Sequence, residues 1–496
     1  MTDAHVESPI STTLPSNGSI HESPSTIEVL KNKTFMLLFS AQFTQNIGAA
    51  VSMLALQFLI LNLTGSASLM GIFSIIFWLP YVMFTPFAGV LVDRYDQRKI
   101  MLFSNLLSFL ASTGYVIIYL FLNKLMVITY VPIVGTGVIQ VVHNPVHVIW
   151  PLFILTFINS TAASVFFPSR SAYTRLIVKK KNLLIANSIG STVFQVATIV
   201  GYVLAGVIAG RSYLGSFIFD ASTFAFSLTM IVFILFVGKK PPEVERPKEE
   251  TFRTQMKGVF EDLKIGYRTI RKAPKISYML AVFAAAIFSF SAFNVLFIIK
   301  IKQIMGLGET AYGILQSVMG ISGIITSLTL MRIGKIKRKV VLLNIALVGA
   351  TIFLYFFAFL NEVYSIGVLL LVFGILLSMI NVSAPTLIQE QIPYEKQGRV
   401  FGTQQLFQGI ARIAGTGIVS VVAGYVGEVE NIKYIILVSA ILLTVFMTWG
   451  VIYSTRSGIS GDDYKDKNRI IDDEEIVEPQ PKVDAIPTSN LEPTLE

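Results

Sequence analysis

Two acidic residues interrupt long apolar stretches of this 496-residue sequence and could carry protons. Asp220 lies within the apolar stretch 213–237, and Glu390 lies near the end of another. Because an ionisable group inside a bilayer is costly unless it faces a partner or a cavity, such acids often belong to proton relays. Asp220 and Glu390 are therefore candidates for proton coupling. The alternatives are an aspartate held by hydrogen bonds to a neighbouring helix and a glutamate that pairs with basic loops.

A second group of polar residues, mostly amides, could line a substrate cavity. Gln42, Gln45 and Asn46 stand at positions i, i+3 and i+4, which places them on one helical face. The cavity candidates are Gln42, Gln45, Asn46, Asn187, Gln195, Asn294, Gln316, Gln404, Gln408 and Arg412. Amides among many aromatic residues suit a large amphipathic organic substrate, and Arg412 could bind an anionic substrate or balance an acid. Hydrogen bonding between helices is the alternative for each residue.

Other chemistries find little support in the sequence. The four histidines, His5, His21, His143 and His147, all fall outside the stretches predicted to span the membrane, so no buried metal site is expected. The chain has no cysteine and no glycine-rich lysine loop for ATP. We therefore expect no enzyme activity, no cofactor and no metal. The net charge of +9 reflects basic loops rather than a nucleic-acid partner.

The elements that must position these residues are predicted to be membrane-spanning helices. The chain is 53% hydrophobic, with a mean hydropathy of +0.67, which is too apolar for a soluble protein. Stretches of about 20 apolar residues are long enough to cross a bilayer. Twelve such spans are predicted at roughly 34–61, 68–92, 100–122, 149–169, 183–209, 213–237, 275–299, 310–332, 339–360, 363–388, 398–426 and 432–454. The predicted fold class is an all-α polytopic membrane protein.

The charges between the spans predict the domain organisation. The predicted units are a disordered tail at 1–33, a six-helix bundle at 34–238, a charged linker at 239–274, a second six-helix bundle at 275–455 and an acidic disordered tail at 456–496. Basic residues cluster in alternate loops, so the positive-inside rule places the linker and both termini in the cytoplasm. Residues 123–148 are apolar but rich in β-branched residues, and we expect an outer loop rather than a thirteenth span.

A dense charged turn lies between the second and third spans. The sequence GVLVDRYDQRKIML at 89–102 carries five charged residues, although only 14% of the whole chain is charged. Between two apolar stretches, this turn must lie at a membrane face. Small Gly89 at the end of one helix and basic residues at the start of the next suit a hinge between two membrane helices. The alternative is that these charges only fix the topology.

These residues resemble a known family. GVLVDRYDQRK looks like the loop between spans 2 and 3 of the major facilitator superfamily, in the form of its macrolide-efflux and enterobactin-exporter-like branch, DHA3. Further similar pieces are LTGSAS at 63–68, FFPSR at 166–170, FIFDASTFAFS at 217–227 and GRVFG at 398–402. The resemblance implies two six-helix bundles that rock about a central cavity. It also implies a gating latch in which Asp93 faces the positive amino end of the eleventh span and the basic residues pair with nearby acids. The residues of this latch are Gly89, Asp93, Arg94, Asp96, Arg98, Lys99 and Arg399.

The sequence departs from the family pattern at two places. The exporter signature of the fifth span usually contains a proline, whereas this chain reads GYVLAG at 201–206, which weakens the evidence for exchange transport. The second-half counterpart of the charged turn, MRIGKIKRKVV at 331–341, has no aspartate, so only one complete latch is expected.

The predicted function is export of an amphipathic drug-like compound or secondary metabolite by alternating access, in exchange for protons. Alternatives are a dedicated exporter of an endogenous siderophore or lipid, and a transporter-like receptor or assembly factor that moves nothing. The expected partners are a small-molecule substrate, protons and membrane lipid, with the chain acting as a monomer. The expected location is the cell (plasma or inner) membrane.

Overall fold

The computed structural model describes residues 25–125, 127–132, 139–240, 252–333, 339–426 and 431–456. Within these residues, twelve helices are long and apolar enough to cross a membrane, which confirms the predicted number of spans. The first six are α2 (Lys33–Thr64), α3 (Ala67–Arg94), α4 (Gln97–Leu120), α6 (Val146–Ile177), α7 (Leu183–Ala209) and α8 (Tyr213–Val237). The second six are α10 (Pro274–Ile299), α11 (Glu309–Ile333), α12 (Lys339–Phe359), α13 (Val363–Gln391), α14 (Tyr394–Val426) and α15 (Ile432–Arg456).

The helix ends differ from the predicted spans in two informative places. Helix α6 continues to Ile177, although the predicted span ends just after Pro168. A proline inside a membrane helix is tolerated when neighbouring groups satisfy the backbone carbonyl that it frees, which for Pro168 is the carbonyl of Ser164. Helix α14 begins at Tyr394, four residues before the predicted start. Both extensions carry charged residues beyond the apolar stretch.

Two six-helix bundles form the fold, and they meet along two pairs of helices. Helices α2, α4, α6, α7 and α8 pack on one another in the first bundle, and α10 to α15 pack in the second. The contacts between bundles run mainly through α3 against α14 and α7 against α11. The second bundle has an aromatic core in which the rings of Phe353 and Phe373 stack 4.0 Å apart. These pairs of helices therefore border any passage between the bundles.

Several shorter elements lie outside the twelve long helices. Helix α5 (Leu122–Leu125) precedes strands β1 (Val127–Pro132) and β2 (Ile139–Asn144), which pair antiparallel. The predicted outer loop is therefore a hairpin and not a span. Helix α1 (Thr26–Lys31) lies at the start of the described chain, and a further helix, α9 (Phe252–Lys272), lies within the predicted linker. We call the end of the bundles at the α3–α4 turn the latch end and the end at the strands the hairpin end.

One region differs from the predicted domain layout. The predicted disordered tail includes α1, which begins after Ser25 and is fastened to the α6–α7 connection. Glu28 pairs there with Lys179 at 2.7 Å and Lys181 at 3.3 Å. The hydrogen bonds from Lys179, Asn182 and Lys181 lower the pKa of Glu28 to about 2. Residues 1–24 and 457–496 of the two predicted tails lie outside the described residues.

Candidate functional site

A central cavity of about 880 Å³ lies between the two bundles. It extends from Trp78 and Arg412, deep between α3 and α14, to Gly89 and Gly398 near the latch end. Its wall is formed by Trp78, Tyr81, Val82, Thr85, Pro86, Gly89, Val90, Pro168, Gly258, Val259, Asp262, Leu263, Gly398, Arg399, Gly402, Gln405, Leu406, Gln408, Gly409 and Arg412. Both bundles and α9 thus contribute to one site of the size that organic ligands occupy.

Arg412 joins the central cavity to a second cavity of about 560 Å³ inside the second bundle. Its guanidinium lies over the Trp78 ring, 4.2 Å from the centroid, so a cation–π contact crosses from α14 to α3. The Ser291 hydroxyl of α10 donates to the Arg412 carbonyl at 3.2 Å. The backbone that carries Arg412 is therefore fixed against α10, while its side chain borders both cavities.

The cavity of the second bundle combines aromatic walls with amides that lack partners. Among the described residues, the carbonyl oxygens of Gln316 and Gln404 and the amide nitrogen of Gln408 are buried without a hydrogen bond. Gln316 and Gln404 are only 8% and 7% exposed. A buried polar group without a partner costs free energy, so these amides suit a ligand that satisfies them. This cavity brings together the predicted residues Asn294, Gln316, Gln404, Gln408 and Arg412.

A third cavity, of about 460 Å³, lies in the first bundle between α2, α6 and α7. It brings together the predicted residues Gln42, Asn187 and Gln195. Arg170 of α6 also lines it and donates a hydrogen bond to the side-chain oxygen of Gln42. The Arg170 Nε is buried and has no hydrogen-bond partner in the described structure. Each bundle therefore presents an arginine among amides.

Gln45 and Asn46 do not line any of these three cavities. The side-chain oxygen of Gln45 accepts a hydrogen bond from Ser227 at 3.1 Å, and Ser227 in turn accepts one from Asn105 at 2.8 Å. These contacts join α2, α4 and α8. The amide nitrogen of Asn46 is buried without a partner among the described residues. Gln45 therefore fits the interhelical alternative more closely than the cavity prediction.

Asp220 is fully buried between helices of the first bundle and lines none of the three cavities. Its Oδ2 accepts a hydrogen bond from Ser112 of α4 at 2.6 Å, and its Oδ1 accepts no hydrogen bond within the described structure. Gly48 of α2 passes so close that a Cβ there would lie 2.9 Å from Oδ1. The carboxyl is thus held between α2, α4 and α8, one turn from Thr223 and two turns from Ser227.

Glu390, the second proton-coupling candidate, lies at the latch end. Both of its carboxylate oxygens accept hydrogen bonds from Lys339 Nζ, at 2.8 and 2.9 Å. This ion pair ties the end of α13 to the start of α12 on the surface. The geometry matches the predicted alternative, in which Glu390 pairs with a basic loop.

The charged turn holds the first bundle together at the latch end. Asp96 accepts a hydrogen bond from the Arg98 backbone at 2.9 Å and pairs with the Arg98 side chain at 2.8 Å. Arg98 also donates to the carbonyls of Leu235 and Gly238, at 3.3 and 3.2 Å, where α8 ends. Burial alone would raise the pKa of Asp96, but the hydrogen bonds and charge of Arg98 outweigh it, so this pKa lies below its usual value.

The remaining latch residues occupy different places. Arg399 of α14 pairs with Asp262 of α9 at 2.7 Å. Gly89 lines the central cavity, and Lys99 is exposed in the first turn of α4. Asp93 and Arg94 form the last turn of α3, and the side chain of Asp93 lies outside the described part of the chain.

The hairpin end of the interface between the bundles is closed. Gly206 of α7 and Gly313 of α11 allow the two backbones to touch, since a Cβ on Gly313 would lie 2.5 Å from the Tyr202 carbonyl oxygen. The Thr310 hydroxyl donates to the Gly206 carbonyl at 2.9 Å. On the other pair of helices, the Ser68 hydroxyl of α3 donates to the Ser420 carbonyl of α14 at 2.8 Å. We call these contacts the hairpin-end seam.

Helices α3 and α14 separate toward the latch end. Gly89 of α3 and Gly398 and Gly402 of α14 all border the central cavity, and a Cβ on any of them would meet nothing within 4 Å. Helix α9 lies beside this opening, with Phe260 against Phe87 of α3 at 5.9 Å between ring centroids. The cavity is therefore closed at one end and bordered by separated helices at the other.

Three features of the site have no counterpart in the sequence prediction. Trp78 is absent from the predicted cavity residues because an aromatic residue within an apolar span gives no signal of its own. Arg170 belongs to the FFPSR motif but is not among the predicted cavity residues. Helix α9 falls in the predicted charged linker, although its apolar residues Val259, Leu263 and Ile270 recur at helical spacing and could have indicated an amphipathic helix.

Comparisons with known proteins identify the fold and family of such an arrangement. The family model described as Major Facilitator Superfamily matches residues 38–416. The uncharacterized MFS-type transporter YfiS of Bacillus subtilis (strain 168) is 24% identical over 411 residues, which cover 80% of this chain and 88% of that protein. Macrolide efflux protein A of Streptococcus pyogenes is 30% identical over 149 residues, 30% of this chain and 31% of that protein. Among solved structures, a bacterial homologue of the iron transporter ferroportin in its inward-facing state aligns with a TM-score of 0.63 at 15% identity, over 86% of this chain and 100% of that one.

Proposed function

Because this chain belongs to the major facilitator superfamily, we propose that it is a secondary active transporter that exports an amphipathic organic compound by alternating access, in exchange for protons. The observation that carries the proposal is the asymmetry of the interface between the bundles. The hairpin-end seam is closed by backbone contacts, whereas α3 and α14 leave a cavity between them toward the latch end. Such a cavity exposes a midplane site to one side of a membrane.

The proposal gives each predicted domain a role in transport. The bundles at 34–238 and 275–455 would rock as two bodies, with the linker at 239–274 joining them. The loop charges favour the cytoplasm for the latch end, so the described conformation is the one that loads substrate from inside the cell. The opposite conformation would open the seam and bring Gly89 toward Gly398 and Gly402.

The latch residues would stabilise that second conformation. Asp93 at the end of α3 would then face the amino end of α14, where the helix dipole favours a negative charge. Arg98 would keep the turn rigid, because it already fastens α4 to the end of α8. Arg399 would have to exchange or keep its pairing with Asp262 as α14 moves.

Asp220 is the proposed carrier of the exchanged proton. A line of buried polar side chains in the first bundle supports this role, because Asp220, Thr223 and Ser227 follow one another along α8 and reach Gln45 of α2. Glu390 is the weaker candidate, since Lys339 already holds both of its oxygens at the surface.

The shape and lining of the cavities support an amphipathic substrate. Aromatic rings of Tyr81, Phe290 and Phe373 offer apolar surface, and the unpartnered amides of Gln404 and Gln408 offer hydrogen bonds. Macrolide efflux protein A, a partial relative, is named for the export of a large organic compound. The substrate cavity candidates that line the second and third cavities thus become proposed binding residues in both bundles.

Everted membrane vesicles test the proposal directly. Cells that lack the chain are compared with cells that produce it, and a panel of amphipathic compounds is screened for uptake into vesicles that are energised with a proton gradient. We expect accumulation of at least one compound, with release of protons from the vesicle on its addition. Binding without flux would instead support a receptor or assembly factor, and would refute transport.

A further inference from the structure

The cavities carry positive charge without a matching acid. Arg170, Arg399 and Arg412 line them, and the lining residues include one acid, Asp262, which pairs with Arg399 at 2.7 Å. No carboxylate of the described residues lies within ion-pair distance of Arg170 or Arg412. Burying a charge is costly unless it is paired, so these two guanidinium groups call for an anion.

Asp93 of α3 and Glu395 of α14 have side chains outside the described residues, but neither lies near enough to pair with Arg412. Asp93 lies on α3 about 22 Å along the helix from Trp78, the residue that Arg412 covers. Glu395 lies about 25 Å along α14 from Arg412. Either distance is far beyond the reach of a side chain. The buried carboxyl of Asp220 is held instead by Ser112 within the first bundle.

The groups around Arg412 complement an anion that also has an apolar body. Gln316, Gln404 and Gln408 each leave one side-chain polar atom unpaired. Exchanging the side-chain oxygen and nitrogen of Gln316 would still leave one of them without a partner, since Tyr312 is the one hydrogen-bond partner of this side chain among the described residues. Phe290 and Phe373 form an apolar wall beside them.

Building on the proposed function, we propose that the transported compound is an amphipathic organic anion whose carboxylate or phosphate is bound by Arg412, with its apolar body in the cavity of the second bundle. Arg412 is well placed for this because it is held by Trp78 through a cation–π contact rather than by an acid. An arriving anion gains a charge-assisted hydrogen bond without first breaking an ion pair. A cationic compound would meet an uncompensated like charge.

A matched set of three probes tests the proposal on the purified full chain in lipid nanodiscs. Phenylbutyrate, phenylbutyramide and phenylbutylamine share one apolar body and differ in charge. Dissociation constants are measured by equilibrium dialysis. In a Trp150→Phe, Trp449→Phe background, Trp78 is the one remaining tryptophan of the three, so its fluorescence reports occupancy beside Arg412. We expect phenylbutyrate to bind at least about tenfold more tightly than the other two probes.

The decisive variant is Arg412→Gln, which keeps hydrogen-bonding capacity and removes the charge. We expect it to weaken phenylbutyrate binding about 10- to 100-fold and to change phenylbutyramide binding by less than about threefold. Arg412→Lys should restore part of the loss. Arg271→Gln is the matched control, because Arg271 is exposed on α9 and does not line the cavities. A fall in the binding of both probes would indicate a structural role for Arg412 and overturn the proposal.

Other results would also overturn it. These are equal affinities for the three probes, tighter binding of the amine, no measurable binding of phenylbutyrate, or unchanged phenylbutyrate binding in Arg412→Gln. Flux measured in proteoliposomes separates this failure from failure of the proposed function. Transport of the amide or the amine would keep the transport function and refute the anion site, whereas anion binding without flux would refute transport and keep the site.

Discussion

The hairpin-end seam offers a sharp test of alternating access, through a single methyl group at Gly313. The Cβ of Gly313→Ala would lie 2.5 Å from the Tyr202 carbonyl oxygen and 2.8 Å from the Gly206 Cα, both of which belong to the backbone. Ordinary contact begins near 3.4 Å, so α7 and α11 must separate by about 0.9 Å. No change of side-chain rotamer relieves the overlap. The substitution should therefore disfavour the conformation in which this seam is closed.

The magnitude follows from the cost of overpacking. Forcing an extra methyl into a well-packed contact costs about 1–3 kcal/mol. Alanine also favours the helix by about 1 kcal/mol relative to glycine, but this gain is present in both conformations and cancels from the equilibrium between them. The population of the conformation with a closed seam and an open latch end, relative to the conformation with an open seam, should therefore fall by about 5- to 150-fold.

Cysteine labelling measures that ratio, because the natural chain has no cysteine. A Gly402→Cys reporter lies in the central cavity with open space around it, and a Ser68→Cys reporter lies in the closed seam. In the Gly313→Ala background, maleimide should label position 402 more slowly and position 68 faster. Gly417→Ala is the control, since its Cβ would meet Ile75 across the interface at an ordinary 3.7 Å. Unchanged rates at both positions, or faster labelling at 402, would refute the reasoning.

Three further predictions concern the first bundle and the helix docked on it. Asp220→Asn keeps a hydrogen-bond acceptor for Ser112 but cannot exchange a proton. Substrate binding should therefore persist, while substrate-dependent proton release in everted vesicles is lost. Retained proton release would exclude Asp220 as the carrier. Arg98→Gln removes the charge-assisted contacts to the end of α8. A thermal or denaturant titration should show a free energy of unfolding lower by about 1–3 kcal/mol. An unchanged free energy of unfolding would contradict the role of Arg98 in fastening α4 to α8. The pKa of Glu28 is lowered from 4.5 to about 2, so the contribution of Glu28 to the docking of α1 should be fully present above about pH 4.5 and lost as the pH falls through 2. Hydrogen exchange of residues 25–32 should show this dependence in the natural chain and not in Glu28→Gln.

The number and approximate positions of the membrane helices were determined by the sequence alone. All twelve predicted spans are helices, and α7 and α8 match their predicted bounds. The reason is that a helix in lipid satisfies its backbone within one segment, so a local apolar stretch of sufficient length is enough to specify it. The charged turn is an equally local feature, and its motif, together with the further pieces of the resemblance, indicated the superfamily that the family model matches.

The partners of each polar residue were decided by tertiary packing. Gln45 and Gln42 lie on one face of α2, yet Gln45 contacts Ser227 while Gln42 reaches a cavity and Arg170. The spacing of three positions between Gln42 and Gln45 does not indicate which neighbouring helix each side chain will face. Asp220 is similarly a lone acid in the sequence, and its enclosure by α2, α4 and α8 depends on Gly48 allowing those helices to approach.

The cavity itself is also a property of the tertiary structure. Gly206 and Gly313 close one end of the interface, and Gly89 and Gly402 border the open end, although all four are glycines within apolar or small-residue stretches. Whether a glycine is packed or exposed depends on the angle between helices that are distant in the chain. Arg412 acquires its position over Trp78 in the same way, because α3 and α14 meet only once both bundles have assembled.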